Sequence, residues 1–417
     1  MSTSTSAVMD ERNTPLAYAP FRRIMAARVI SSAGSTMQAV AAGWLVLMIS
    51  GNPMDVGILA ALALAPSLIG APIGGYLADR FCPRKLTIFF STILIIPPAI
   101  LAALAFADLL TVPLIFLLVL LGAIPGSISG PITSLVVPFT VPARLRHKAV
   151  ADGSAFYNVA LFVGAIAGGT LVQFIGAGWA FAFNAASYAF SALIFATARV
   201  LQKACDRAKA HQDASLRAGF SQGWRLPLVR TVAFGAGVFF VLVAPIQQLM
   251  PVLADDHGEG AMYLGVLLAA ITVGGLIGNQ LLRRVPHESM SRSKALVLAL
   301  AVAAPATFLL GVSPGLISDL LLLVVIGVSW ELIFVSGSSS LQLDVPQDIR
   351  GRIIGLFYLL VAGAAALGAL AMGWFFEKVG VNPTLITVGL LTAGVAVLLG
   401  IRERVAPAAR TSAQPLP

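Results

Sequence analysis

Charge is what this chain has least of: 11% of its 417 residues are Asp, Glu, Lys or Arg, against 58% hydrophobic. An ordinary globular protein carries about 25% charged residues. A soluble fold could not be covered from so small a supply, and disorder is excluded because disordered chains are apolar-poor. Cysteine is nearly absent as well. Cys82 and Cys205 are too few for a disulfide framework and fall in gaps expected to face the reducing side. No G-x-x-x-x-G-K-[ST], no H-E-x-x-H and no paired-cysteine motif occurs, which argues against ATP hydrolysis and zinc chemistry. The histidines, His147, His211, His257 and His287, are scattered through loops, so no metal site and no cofactor are expected. The net charge of +9 implies no nucleic-acid partner, because the basic residues sit in short gaps between long apolar runs. The polar start, MSTSTS, lacks the basic n-region and short apolar core of a cleavable signal peptide.

What is present is apolar sequence in blocks. Runs fall at about 24–50, 54–78, 86–107, 112–138, 150–175 and 177–198, and again at about 231–254, 261–282, 294–313, 315–341, 353–376 and 382–401. At roughly 20 residues per span the expectation is an all-α membrane protein of twelve transmembrane helices. Strands are not expected, since the runs are long and lack two-residue alternation. With the N-terminus placed in the cytoplasm, all of the 27 Lys and Arg except Lys378 fall on the inner side, which predicts an even number of spans with both termini cytoplasmic. The domain reading is a cytoplasmic tail over 1–20, a six-helix bundle over 21–198, a basic linker over 199–229, a second bundle over 230–402 and a tail over 403–417.

The two halves repeat at an offset of 204 residues. Val141-Pro142 and Arg146 correspond to Val345-Pro346 and Arg350, and Gly70, Gly74, Leu77 and Arg80 to Gly274, Gly278, Leu281 and Arg284. Gly164, Gly169 and Gly176 correspond to Gly368, Gly373 and Gly380. Two pseudo-symmetric bundles in parallel orientation suit a transporter that rocks about a central site.

After the second run the chain reads Gly74-Gly75-Tyr76-Leu77-Ala78-Asp79-Arg80-Phe81-Cys82-Pro83-Arg84-Lys85. This resembles the loop motif of the major facilitator superfamily, G-x-L-A-D-R-x-G-R-K, departing from it at Cys82-Pro83. Gly75 is expected to let helices approach closely. By resemblance, Asp79 with Arg80, Arg84 and Arg350 forms a gate that latches the cytoplasmic side; the alternative for Arg80, Arg84 and Lys85 is topology alone. Gly164-Ala165-Ile166-Ala167-Gly168-Gly169 resembles the antiporter motif G-P-x-x-G-G, with Ala165 for Pro. That resemblance implies export, while Gly164 and Gly168 also read as a plain small-xxx-small packing face. The stretch from Arg28 to Gly34 followed by Ala42-Gly43-Trp44 resembles the exporter branch that includes enterobactin and macrolide efflux proteins.

One acid lies far inside a run: Glu331, in Ser329-Trp330-Glu331-Leu332. A mid-membrane carboxyl must be protonated, paired or facing a wet cavity, which makes Glu331 the candidate for proton coupling, or else a structural carboxyl bonded to a neighbouring helix. Arg28 either snorkels to the headgroups or serves an anionic substrate or ion pair. Gln38, Ser127, Gln247, Gln248 and Trp330 are candidates for lining the substrate cavity, each with interhelical bonding or packing as the competing reading. Pro66, Pro72, Pro97, Pro98, Pro125, Pro131, Pro245 and Pro305 predict kinked helices. The resulting expectation is a bacterial inner-membrane exporter of a small amphipathic molecule, a siderophore or antibiotic-like drug. It would be driven by the proton gradient and work as a monomer in the lipid bilayer. The alternatives are an uptake symporter on the same fold and, remotely, a membrane-embedded enzyme.

Overall fold

The computed structural model describes residues 14–198, 227–257, 260–284, 292–344 and 347–405. The expected linker, apart from its last residues, and most of both tails lie outside these. Every regular element in the described residues is helical. Among the described residues eleven helices are long and apolar enough to cross a membrane, from Ala19–Ser50 to Val381–Ile401; a further apolar helix, Lys294–Leu310, occupies the ninth position and is shorter. These twelve segments are numbered below as spans in chain order.

Local sequence explains where the spans stop and bend. The first ends at Gly51, which takes a left-handed conformation (φ 63°). The Asn52 side chain then accepts a hydrogen bond from the Met54 amide and Pro53 opens the next helix. Proline lacks an amide hydrogen and clashes with the preceding turn. Accordingly the second span breaks around Ala65-Pro66, the third before Pro97-Pro98 and the seventh before Pro245. Pro72, Pro125, Pro131 and Pro305 instead lie inside uninterrupted helices. Cys82, expected as a reduced thiol, is disulfide-bonded.

The packing divides the chain into two units, Met1–Ala214 with Gln248–Thr272, and Ser215–Gln247 with Val273–Pro417. Residues 248–272, which the sequence reading groups with the second half, make their contacts in the first unit. In that unit, Phe21, Ile24 and Met25 of the first span close one end of the core with Val136, Val137, Leu145 and Phe195.

The glycine repeat appears in each unit as close packing of one helix pair. A Cβ on Gly70 would strike the Ser127 hydroxyl, and one on Gly74 the Ile128 carbonyl, so the second span lies tight against the fourth. In the second unit a Cβ on Gly274 would lie 2.9 Å from the Gly327 Cα, and one on Gly278 3.0 Å from the Glu331 Cβ, which joins the eighth span to the tenth. The register differs by about one turn. Ser127 sits opposite the first glycine of its pair, whereas Glu331, its equivalent at the 204-residue offset, sits opposite the second.

Candidate functional site

Glu331 lies within the tenth span, Leu316–Ser339. Small residues bring the eighth span close enough for Asn279 Nδ2 to donate to Glu331 Oε1 at 2.9 Å. One oxygen of the carboxyl is thus held by an amide. Asn279 escapes the sequence reading, although a lone amide in an apolar run carries the same kind of signal as the acid itself. On the same helix, Trp330 packs edge-on against Phe239 and Phe240, with ring centroids 6.0 and 5.0 Å away. Phe334, one turn beyond Glu331, meets Phe240, Phe357 and Tyr358. Trp330 is thus part of an aromatic cluster that includes residues of the seventh and eleventh spans.

In the first unit the polar candidates divide by partner. Gln38 Oε1 accepts from Asn184 Nδ2 at 2.7 Å, and Asn184 is 1% exposed. Ser187 Oγ donates to the Asn184 carbonyl oxygen at 2.8 Å. Ser35 Oγ and the Tyr188 hydroxyl lie 3.0 Å apart. These bonds stitch the first span to the sixth, and Asn184 and Tyr188 are further residues the sequence reading missed. Ser127 Oγ donates to the Ile124 carbonyl at 2.8 Å and reaches the Pro66 carbonyl, at the break in the second span, at 3.3 Å. Arg28 is half-buried, and its electrostatic neighbour is Tyr157 of the fifth span. Gln247 and Gln248 are half-buried near the end of the seventh span.

The gate motif comes out differently from expectation. Nothing lies within 4 Å of a Cβ placed on Gly75, so the close approach belongs to Gly74; the motif's second glycine points away from the fourth span. Arg80 stacks over the Tyr76 ring at 4.5 Å. Arg84 donates from Nε to the Phe195 carbonyl at 3.0 Å and from its guanidinium to the Ala196 carbonyl. It therefore caps the C-terminal turn of the sixth span, where orphan carbonyls and the helix dipole favour a cation. The side chains of Asp79 and Arg350 lie outside the described residues.

The antiporter-like glycines pack on two neighbours. A Cβ on Gly164 would lie 2.6 Å from the Ala33 carbonyl oxygen, and one on Gly168 2.8 Å from the Met37 Cα, both on the first span. Gly169 faces another way, with a Cβ there 2.5 Å from the Ala261 carbonyl oxygen and 3.0 Å from the Gly265 Cα of the eighth span. Gly164 and Gly168, four residues apart, thus both pack on the first span. On a further side of the same helix, Phe162, Ile166, Thr170 and Phe174 help line a shallow apolar groove of about 410 Å³, away from every polar candidate.

Comparison with known proteins agrees with this architecture. The chain matches the family described as transmembrane secretion effector over residues 11–416. The multidrug efflux pump Tap of Mycolicibacterium fortuitum is 26% identical over 393 residues, 91% of this chain and 95% of that protein. The enterobactin exporter of Escherichia coli O1:K1 is 26% identical over 390 residues, 92% of each chain. Among solved structures, the POT family transporter PepTSo superposes with a TM-score of 0.72 at 13% identity, covering 93% of this chain and 98% of that one. The D-xylose-proton symporter gives 0.70 at 15%, covering 92% and 97%. These two likenesses bear on the fold.

Proposed function

Because the chain belongs to the transmembrane secretion effector family of the major facilitator superfamily, and is a multi-pass transporter rather than an enzyme, we propose that it exports a small amphipathic molecule from the bacterial cytoplasm in exchange for protons. The observation that carries the coupling step is the mid-span carboxyl of Glu331, held by Asn279 at 2.9 Å. In the cycle Glu331 releases its proton inward as substrate is taken up from the cytoplasm, and is reprotonated from outside as substrate leaves. The relatives named for multidrug and enterobactin efflux support the outward direction and an antibiotic-like or siderophore cargo. The same proposal places the protein in the inner membrane as a working monomer with both termini cytoplasmic. It also takes 21–198 and 230–402 as the two bundles, joined by the linker 199–229, with Asp79 and Arg350 closing the inner gate.

The test uses inverted membrane vesicles loaded by counterflow with tetracycline or enterobactin as tracer. An acid interior should drive accumulation in wild type, and Glu331→Gln should abolish that accumulation while leaving expression and tracer exchange intact. Accumulation driven only by an acid exterior would mean uptake symport, and unchanged proton-driven transport by Glu331→Gln would remove this residue from coupling.

A further inference from the structure

The first span carries a polar stripe. Arg28, Ser31, Ser35 and Gln38 recur at helical spacing, and all are half-buried in a helix of otherwise apolar character. The far end of the stripe is satisfied internally, Ser35 by Tyr188 and Gln38 by Asn184. The near end is not. Among the described residues nothing accepts a hydrogen bond from Arg28 and no carboxylate pairs with it, and the Tyr157 hydroxyl has no partner either. Other arginines of this unit are engaged: Arg22 with the Leu16 carbonyl at 2.8 Å, Arg84 with the end of the sixth span, Arg80 and Arg146 with aromatic rings.

Two contacts fix the level at which Arg28 and Tyr157 stand. Gly153 lies against Met25 and Gly164 against Ala33, so the parallel first and fifth spans bring Arg28 and Tyr157 to the same height between those contacts. Arg22 and Arg23 are exposed near the start of the first span. Arg28 lies five residues beyond Arg23, about 8 Å deeper along the helix. Tyr157 is 47% exposed, so the place is open. An arginine stays charged in a protein, and a charge at membrane depth requires a counter-charge or a wet cavity. Five guanidinium hydrogens and one phenolic hydrogen converge here with no acceptor supplied by the protein.

We infer that Arg28 and Tyr157 form a binding site for an oxyanion, a carboxylate or a similarly acidic group, on the transported molecule. The inference deepens the export reading by giving the cargo an acidic end, with the guanidinium as the bidentate donor and the phenol as the third. Lipid phosphate has the same chemistry, but Arg28 is set deeper than the two arginines that mark the interface, which favours a solute.

Equilibrium binding tests this without depending on transport direction or coupling. Carboxyfluorescein serves as the anionic probe and tetramethylrhodamine methyl ester as a cation on the same xanthene frame, each titrated by fluorescence anisotropy against the full chain in phosphatidylcholine nanodiscs. Carboxyfluorescein should bind saturably and the cation should not compete. Arg28→Gln should weaken binding about tenfold or more, the scale of a lost charge-assisted hydrogen bond. Arg28→Lys should retain part of the affinity, and Tyr157→Phe should lose a few-fold. Binding is read at equal pH on both faces with no proton gradient, so that failure of the coupling proposal and failure of this one are separately visible. No saturable binding, equal competition by the cation, or an Arg28→Gln variant of unchanged melting temperature and unchanged affinity would each overturn the site. Phosphatidylglycerol in the nanodiscs should leave dye affinity unaltered; displacement of the dye by that lipid in wild type but not in Arg28→Gln would assign the site to headgroups and overturn the solute reading.

Discussion

Asn279 and Glu331 are joined side chain to side chain at 2.9 Å, across two spans that Gly278 allows to touch. Replacing Asn279 with Ala removes the side-chain donor to the carboxyl oxygen Oε1. A hydrogen bond to a charged group contributes about 1.5–3 kcal/mol. Asn279→Ala is therefore expected to lower the initial rate of proton-driven accumulation about tenfold, with a smaller effect on tracer exchange at equal pH. Vesicle assays under both conditions check it.

Gly74 and Gly75 should respond differently. A Cβ on Gly74 would meet backbone of the fourth span, whereas one on Gly75 meets nothing within 4 Å. Forcing side-chain volume into a packed contact costs about 1–3 kcal/mol, while a surface change typically stays within about 0.5 kcal/mol. Gly74→Val should lower the melting temperature of the detergent-solubilised protein by several degrees, and Gly75→Ala should leave it in place.

The bond between Gln38 and Asn184 supports a third expectation. Interhelical hydrogen bonds in membranes average about 0.6 kcal/mol, but a buried partner left unsatisfied costs more, about 1–3 kcal/mol. Asn184→Leu alone should destabilise by about 1–2 kcal/mol, and adding Gln38→Leu should return part of the loss. A double-mutant cycle of thermal melts gives the coupling sign.

Arg84 offers a separation of charge from geometry. As a cap on the Phe195 and Ala196 carbonyls it stabilises a helix end, an effect of about 0.3–1 kcal/mol for a cation at a C-terminus. Arg84→Gln should show that modest loss in thermal melts, and Arg84→Lys should recover most of it. A transport defect much larger than the stability change would return Arg84 to the gate.

Much of the architecture was legible before any coordinates. Helical character follows from long apolar runs because lipid allows few other solutions; eleven of the twelve expected runs form helices long enough to span, and the ninth forms a shorter one. Proline positions were a weaker guide: Pro66, Pro97 and Pro245 mark helix breaks, but Pro125 and Pro131 sit in one continuous helix. Whether proline interrupts a helix depends on neighbours that resupply the lost bond, which sequence does not display. Glu331 stood out because charge in mid-span is costly, whereas Asn279, Asn184 and Tyr157 carry no formal charge at neutral pH and were passed over. Gly75 was assigned the contact that Gly74 makes, because adjacent residues on a helix face directions about 100° apart and a motif alone does not say which faces the neighbour.

The two halves have also parted in their chemistry. At the 204-residue offset, Asn279 and Glu331 match Gly75 and Ser127, so an amide–acid pair in one half stands where a bare backbone and a hydroxyl stand in the other. The one-turn slip in register completes the divergence, since an acid introduced at Ser127 would find no amide at hand. One half carries the amide–acid pair and the other does not, so a protein rebuilt from two copies of residues 21–198 would have no mid-span acid to discharge.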